Sequence, residues 1–130
     1  MKKLFSVFGL LLILSACSKE PSFVGKSYQL QNAQNGVKVT LGFDRNEPRY
    51  YGAVVNRYFG NYELDGSKIK FAPAGVTMMM GPEAEMEAEH NFLGILPHIV
   101  SYKMVGNNLV LITDNGQELG FKEISAEAAK

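Results

Sequence analysis

The stretch Val37-Lys38-Val39-Thr40-Leu41-Gly42-Phe43-Asp44 decides the fold class of this chain. Its large apolar residues occupy every second position, which is the spacing of a strand with one buried face. Shorter stretches of the same kind follow at residues 68–71, 100–104 and 119–122, and residues 109–112 form a continuous apolar run. A chain with this many alternating segments is predicted to be mostly β.

The residues between these segments are typical of tight turns. Asn35-Gly36, Asp65-Gly66, 106–108 and 114–116 consist largely of Gly, Asn and Asp. Gly and Asn adopt the positive φ angles that short hairpins need. Strands joined by such short turns pair antiparallel, because parallel strands need a long crossover between them.

One segment, residues 82–96, has a helical pattern instead. Pro82 suits the first helical turn, and Glu83 and Glu85 suit the positive end of the helix dipole. Pro97 then ends the helix. We therefore predict a mostly β (α+β) protein with one helix packed across an antiparallel sheet of short strands.

The helical spacing also predicts which side chains face inward. Phe92, Leu93 and Leu96 fall within one arc of about 100°, and Glu89 points into the middle of that arc. An inward carboxylate needs hydrogen-bond partners or a cation. Three further polar residues point away from the sheet: Glu83, Glu87 and His90.

The N-terminus carries the pattern of a secretory signal. Lys2 and Lys3 precede an apolar run over residues 4–14, and small residues follow before Cys17. About eleven residues at about 1.5 Å each cover about 16 Å, which is too short for a hydrocarbon core of about 30 Å. Residues 1–16 are therefore predicted to be a signal peptide and not an anchor helix.

The four residues Leu14-Ser15-Ala16-Cys17 resemble the lipobox of bacterial lipoproteins. The resemblance implies cleavage before Cys17, a diacylglycerol on its thiol, and an amide-linked fatty acid such as palmitate. Ser18, in place of Asp, resembles the signal for the outer membrane, with the inner membrane as the less favoured destination. Residues 17–23 are predicted to be a lipidated tether. The alternative is an ordinary secretory signal followed by a free cysteine.

Composition excludes several classes of protein. The 130 residues contain 13 Lys+Arg and 13 Asp+Glu, and removal of residues 1–16, which contain Lys2 and Lys3, leaves a net charge of −2. A nucleic-acid-binding protein would show a basic excess. A single cysteine excludes an intramolecular disulfide and a multi-cysteine zinc site. We predict one domain over residues 24–124 and a short tail over 125–130.

The ordered pieces of residues 23–124 together resemble the META domain family. The resemblance rests on Asn56-Arg57-Tyr58-Phe59-Gly60-Asn61-Tyr62, on Thr77-Met78-Met79, and on Glu89-His90-Asn91-Phe92-Leu93-Gly94-Ile95-Leu96. It implies a partly barrel-like sheet crossed by one helix, an association with envelope stress, and no established enzymatic activity. Many members carry one cysteine before the Asn and another after the T-x-M element, where this chain has Val55 and Gly81.

Several residues are candidates for chemistry. The run Met78-Met79-Met80, with Met86 and Met104, could bind Cu(I) through thioethers, but packing in the core is the favoured interpretation. His90 with Glu87 or Glu83, joined by His98, could hold a metal, but a solvated helix face is favoured. No metal site and no cofactor is predicted.

The aromatic residues have two interpretations as well. The set Tyr50, Tyr51, Tyr58, Phe59 and Tyr62 could line a glycan or peptide groove, although cross-strand packing is favoured. A polar bracket is predicted among Asn56, Gly60 and Glu89. The candidates for contact with a ligand are Asn56, Tyr58, Tyr62 and Glu89. No nucleophile motif of a known hydrolase occurs, so no catalytic residue is assigned.

These observations lead to one functional hypothesis and one alternative. The chain is expected to be a monomeric, lipid-anchored outer-membrane protein that faces the periplasm and has a binding or structural role linked to stress. It is not expected to be an enzyme or to bind nucleic acid. Its partners would be the membrane and an unknown envelope protein or glycan. The alternative is a small lipoprotein inhibitor of a cell-wall hydrolase such as lysozyme.

Overall fold

The computed structural model describes residues 21–129, so the signal sequence and Cys17 lie outside the described residues. Its strands are β1 Ser27–Leu30, β2 Thr40–Phe43, β3 Arg49–Ala53, β4 Arg57–Asp65, β5 Lys68–Phe71, β6 Gly75–Val76, β7 Ile99–Val105, β8 Asn108–Thr113 and β9 Glu118–Ile124. The α-helix α1, Glu83–Ile95, lies between β6 and β7. Short 3₁₀ turns cover Gln34–Gly36, Leu96–His98 and Ala126–Ala129.

Eight of the strands close into a ring. They follow the order β3-β2-β1-β9-β8-β7-β5-β4, and β3 pairs with β4 to complete the barrel. All these pairings are antiparallel. β6 pairs with β4 alone and is therefore an addition outside the ring. The predicted fold class, an antiparallel and partly barrel-like sheet with one helix, is confirmed.

The predicted turns join the predicted strands. Asn35 and Gly36 both have positive φ, at 57° and 66°. Gly106 and Asn107 connect β7 to β8 through the pair Val105–Asn108, and Gly106 has a φ of 63°. These left-handed angles explain the Gly and Asn of the turn sequences.

The stretch that predicts the fold is more buried than its alternation suggests. Only Thr40–Phe43 forms the strand β2, and all four of its residues are buried. A Cβ on Gly42 would collide with the Tyr51 ring, so this ring covers that face. Thr40 donates its hydroxyl to the carbonyl of Ala129 at 3.2 Å. The expectation of a half-buried strand is wrong here, because β3 and the C-terminal turn cover the second face.

Two predicted boundaries also change. Phe23, assigned to the tether, is fully buried, and its ring centroid lies 4.4 Å from that of Phe43. The folded domain therefore includes Phe23. The predicted tail contains a 3₁₀ turn over Ala126–Ala129, and Ala129 is fully buried against the barrel.

The strand β7 departs from strict alternation. A bulge between Ile99 and Ser101 changes the register of its pairing with β8. Ile99 is therefore buried while Val100, predicted to face the core, is 44% exposed. Further along this strand, Tyr102 and Met104 pack against the core and are half-buried. A bulge adds one unpaired residue, so the apolar face moves by one position.

The helix packs against the barrel through its apolar face. α1 spans Glu83–Ile95, within one residue of the prediction, and buries Ala88, Glu89 and Phe92. The Phe92 ring lies 5.9 Å from Tyr58 and 6.1 Å from Phe121 between ring centroids. Within residues 21–129 no helix is both long enough and apolar enough to cross a bilayer.

Candidate functional site

A buried carboxylate joins the helix to the turn between β3 and β4. Glu89 is 5% exposed, as the helical spacing predicts for an inward-facing side chain. Its Oε1 accepts the backbone N–H groups of Val55 at 3.0 Å and Asn56 at 2.6 Å. Its Oε2 accepts Asn56 Nδ2 at 2.8 Å. Both carboxylate oxygens are thus hydrogen-bonded, which is what a buried carboxylate requires.

Asn56 extends this network to the segment after β6. Its Oδ1 accepts the Thr77 hydroxyl at 3.0 Å and the Met79 N–H at 2.5 Å. Its Nδ2 donates to the Met79 carbonyl at 3.1 Å as well as to Glu89. We call Glu89, Asn56, Thr77 and the backbone of Met79 the polar bracket. The bracket fixes α1, the start of β4 and the segment 77–79 to one another.

The bracket differs in membership from the predicted one. Gly60 is not part of it: a Cβ there would lie 2.7 Å from Tyr50 Oη, so Gly60 makes room for the Tyr50 ring. The sequence does not predict Thr77 and Met79 as members of the bracket. The T-x-M element is the only feature of the sequence that includes these two residues, and it does not indicate that they bond to Asn56, about twenty residues away.

The two positions at which family members often carry cysteine lie side by side. A Cβ on Gly81 would lie 2.8 Å from both γ-methyl carbons of Val55 and 3.4 Å from its Cβ. Cβ atoms in disulfides are about 3.5–4.5 Å apart. In this chain the Val55 methyls occupy the space above Gly81. The bracket therefore stands beside an apolar contact at the position of the family's cysteines.

The aromatic candidates divide into buried and exposed groups. Tyr58 and Tyr62 are 1% and 5% exposed, which confirms core packing for them. Burial, then the charge of Glu89, raises the pKa of Tyr58, and Tyr50 has its pKa raised to about 12 by burial. Phe59, by contrast, is 52% exposed. The predicted binding candidates are all buried in the domain: Tyr58, Tyr62, Asn56 and Glu89. Their direct contact with a ligand stays a prediction.

A cavity lies next to the bracket, between β3, β4, the residue that follows β6 and the C-terminal turn. Its volume is about 350 Å³. It is lined by Tyr51, Gly52, Arg57, Tyr58, Phe59, Thr77 and Ala129. Thr77 belongs both to this cavity and to the bracket, so the bracket positions one wall of the cavity.

The prediction that the methionine run packs in the core is wrong. Met78, Met79 and Met80 are 95%, 54% and 90% exposed. They follow β6, which lies outside the barrel, and Asn56 holds the Met79 backbone there. Met86 and Met104 are half-buried.

The two histidines have different acidic neighbours among the described residues. Glu87 accepts a hydrogen bond from Gln34 Nε2 at 3.0 Å, and His98 Nδ1 lies 3.1 Å from Asp114 Oδ2. Across residues 21–129 no group of three or more His, Cys, Asp or Glu side chains is arranged to hold a metal ion. His90 lies on the exposed face of the helix, as predicted.

Comparison with sequence families gives two matches. The sequence model of the META domain matches residues 21–126, which is most of the chain. The chain belongs to the META domain family. The second match, to the prokaryotic membrane lipoprotein lipid attachment site, covers residues 1–18 and so includes Cys17. This META domain protein is therefore a lipoprotein attached to a membrane through its N-terminus.

Solved structures share the fold. A protein from Burkholderia xenovorans, solved by NMR, is 24% identical with a TM-score of 0.65, over 79% of this chain and 84% of that one. A second NMR structure is 18% identical with a TM-score of 0.61, over 78% and 91%. A DUF4847 family protein from Bacteroides vulgatus is 12% identical with a TM-score of 0.57, over 77% and 93%. At these identities the likeness shows the fold alone. No curated protein matches the sequence.

Proposed function

We propose that this META domain lipoprotein is a non-catalytic binding protein of the cell envelope, anchored in the outer membrane and facing the periplasm. The observation that carries the proposal is the cavity beside β6, whose wall is positioned by the polar bracket. Its volume of about 350 Å³ is within the range of small-ligand sites, about 300–1,000 Å³. An association with envelope stress is part of the proposal and comes from the family resemblance.

The proposed anchor is the acylated Cys17. Each buried methylene contributes about 0.8 kcal/mol, and two or more acyl chains hold a protein stably at a membrane. The domain itself, at −2, has no electrostatic attraction to anionic lipid. Replacing Cys17 with Ala should release the protein into the soluble periplasmic fraction. Continued fractionation with membranes would contradict the lipid anchor, and residence of the wild-type protein in the inner membrane would contradict the outer-membrane assignment.

The proposed binding surface combines aromatic, polar and basic groups. Phe59 is exposed beside Tyr51, whose hydroxyl pairs with Ser27 Oγ at 2.9 Å. Arg57 lies at the same cavity and offers charged donors. Rings next to hydrogen-bonding groups suit a sugar or a peptide from an envelope component. This arrangement supports a glycan or protein partner, one molecule of which would bind one monomer.

The chemistry of the bracket supports a role without catalysis. Glu89 is the most buried acidic residue of the described chain, and both of its oxygens are occupied by N–H groups of Val55 and Asn56. A general base needs an oxygen that reaches a substrate proton. The carboxylate of Glu89 therefore acts in the proposal as a structural acceptor.

In-cell photocrosslinking tests the binding surface. A photoreactive amino acid at Phe59 should capture a specific envelope component, and the same amino acid at Val105, also exposed at 55%, should not. Phe59→Ala should weaken capture by a probe at Arg57, whereas Val105→Ala should leave it unchanged. Equal capture at both positions would overturn the proposed surface.

An inhibition assay tests the alternative function. The purified lipoprotein in detergent is added to lysozyme at increasing molar ratio. No loss of lysozyme activity is expected at equimolar protein. Loss of activity at that ratio would favour the cell-wall hydrolase inhibitor and overturn the leading proposal.

A further inference from the structure

Met78 and Met80 contribute little to packing. Met78 and Met80 are 95% and 90% exposed, so their side chains contact little of the domain. A buried Met side chain stabilises a fold by leaving water, and these two positions lack that contribution. The bracket nevertheless holds the backbone between them at both the N–H and the carbonyl of Met79. The chain thus uses a buried network to present exposed thioethers.

The backbone contacts show how the thioethers are arranged. The N–H of Thr77 donates to the Arg57 carbonyl at 3.1 Å, and the N–H of Met79 donates to Asn56 Oδ1 at 2.5 Å. N–H groups of alternate residues pointing the same way indicate an extended chain. In an extended chain Met78 and Met80 lie on one side and Met79 on the other. The lower exposure of Met79, 54%, agrees with this arrangement.

The spacing allows both sulfurs to reach one ion. Alternate residues of an extended chain are about 6.6 Å apart between Cα atoms, from a rise of about 3.3 Å per residue. Each methionine side chain has three rotatable bonds and a polarizable sulfur. The sulfur atoms of Met78 and Met80 can therefore approach the same ion from two sides, while the bracket keeps the backbone in place.

The surroundings select the kind of ion. Thioethers are neutral, soft ligands that suit Cu(I) and bind hard cations poorly. The segment from Phe71 to Pro82 contains no charged side chain, so nothing in it attracts divalent cations by charge. We propose that Met78 and Met80 form a surface site for a soft monovalent cation of the Cu(I) class. This site is independent of the cavity beside β6 and of the proposed partner.

Binding is tested with Ag(I), a stable probe of the same class, on the acylated full-length protein in detergent micelles. The acylated protein is needed because a free Cys17 thiol would itself bind Ag(I). With methionine labelled at its ε-methyl groups, NMR should show shifts for Met78 and Met80 and none for Met86 and Met104. Equal shifts for all the methionines would mean nonspecific capture and would overturn the proposal.

Matched variants measure the contribution of each sulfur. Met78→Leu with Met80→Leu should weaken Ag(I) binding at least tenfold, whereas Met86→Leu with Met104→Leu should change it less than threefold. The affinity should be constant from pH 8 to pH 5, because thioethers do not titrate, whereas histidine ligands would lose the ion on protonation. Unchanged affinity in the first double variant, or a loss of binding at acidic pH, would overturn the site.

Discussion

Replacing Glu89 with Ala removes the acceptor at the centre of the polar bracket. Three hydrogen bonds are lost: the backbone N–H groups of Val55 and Asn56 lose their acceptor, and Asn56 Nδ2 keeps only its bond to the Met79 carbonyl. A buried donor left unsatisfied costs about 1–3 kcal/mol. Val55 is only half-buried, so water replaces part of its hydrogen bond, whereas Asn56 is 3% exposed. We expect Glu89→Ala to lower the free energy of unfolding by about 2–4 kcal/mol.

Glu89→Gln keeps the size and shape of the side chain and replaces one acceptor oxygen with an NH₂ group. It therefore measures the loss of the acceptor separately from the loss of side-chain packing. The Gln oxygen can keep the two backbone N–H groups, but its NH₂ then faces Asn56 Nδ2, which is also a donor. Turning the Asn56 amide around would place its NH₂ against the N–H of Met79. One donor pair therefore stays opposed, and we expect a loss of about 1–2 kcal/mol.

Urea unfolding followed by circular dichroism measures both variants, with Glu87→Ala as the control. Glu87 is exposed on the same helix and accepts one hydrogen bond from Gln34, so its replacement should cost less than about 0.5 kcal/mol. Hydrogen exchange at the Met79 amide should become faster in Glu89→Ala and stay unchanged in Glu87→Ala. If Glu89→Ala unfolds at the same urea concentration as Glu87→Ala, the bracket does not stabilise the fold.

Three further predictions use the same unfolding assay. Val55→Cys with Gly81→Cys should form an intramolecular disulfide under oxidising conditions, detected by loss of free thiol and worth about 3 kcal/mol; persistent thiols would contradict the proximity of the two positions. Tyr28→Phe should be neutral or slightly stabilising, because Tyr28 Oη has no hydrogen-bond partner within residues 21–129. Tyr50→Phe should lower the free energy of unfolding by about 1 kcal/mol, because it removes the 2.7 Å hydrogen bond from the Tyr50 hydroxyl to the Ala72 carbonyl. Equal effects of the two substitutions would refute this prediction. Burial raises the pKa of Tyr28 and Tyr50 to about 12, and the charge of Glu123 adds to the effect on Tyr28. The stability that these tyrosines contribute is therefore complete below pH 10, and the free energy of unfolding should fall by about 1.4 kcal/mol per pH unit for each tyrosine between pH 10 and 12. A constant free energy of unfolding over that interval would contradict this prediction.

The local elements of this fold could be predicted because they depend on neighbouring residues. Alternation at Ile69 and Phe71 places both in the core, and Pro82 and Pro97 bound the helix. The turn at Asn35-Gly36 follows from the backbone freedom of those residues. Errors arose where a distant element covered or displaced a residue. Thr40 is buried by the C-terminal turn, and Val100 is displaced by a bulge.

The sequence predicts the inward position of Glu89 in the candidate site but not its connection to distant residues. The helical arc places Glu89 inward, yet its partner Asn56 is 33 residues away in the chain, and Asn56 is 21 residues away from its own partner Thr77. Periodicity carries no information about such pairs. The exposure of the methionine run escaped prediction for the same reason. An apolar run resembles a core strand until the topology places β6 outside the closed ring.

The sequence by itself determined the lipid attachment signal, the antiparallel β class and the bounds of the helix. Each of these depends on residues that are close together in the chain: the lipobox ending at Cys17, the alternation of strands, and the prolines beside α1. The tertiary structure alone decided that Glu89 and Asn56 hold the segment 77–79, and that Met78 and Met80 face solvent. Barrel closure brings distant residues together and leaves β6 outside, and burial depends on that closure and not on hydrophobicity alone.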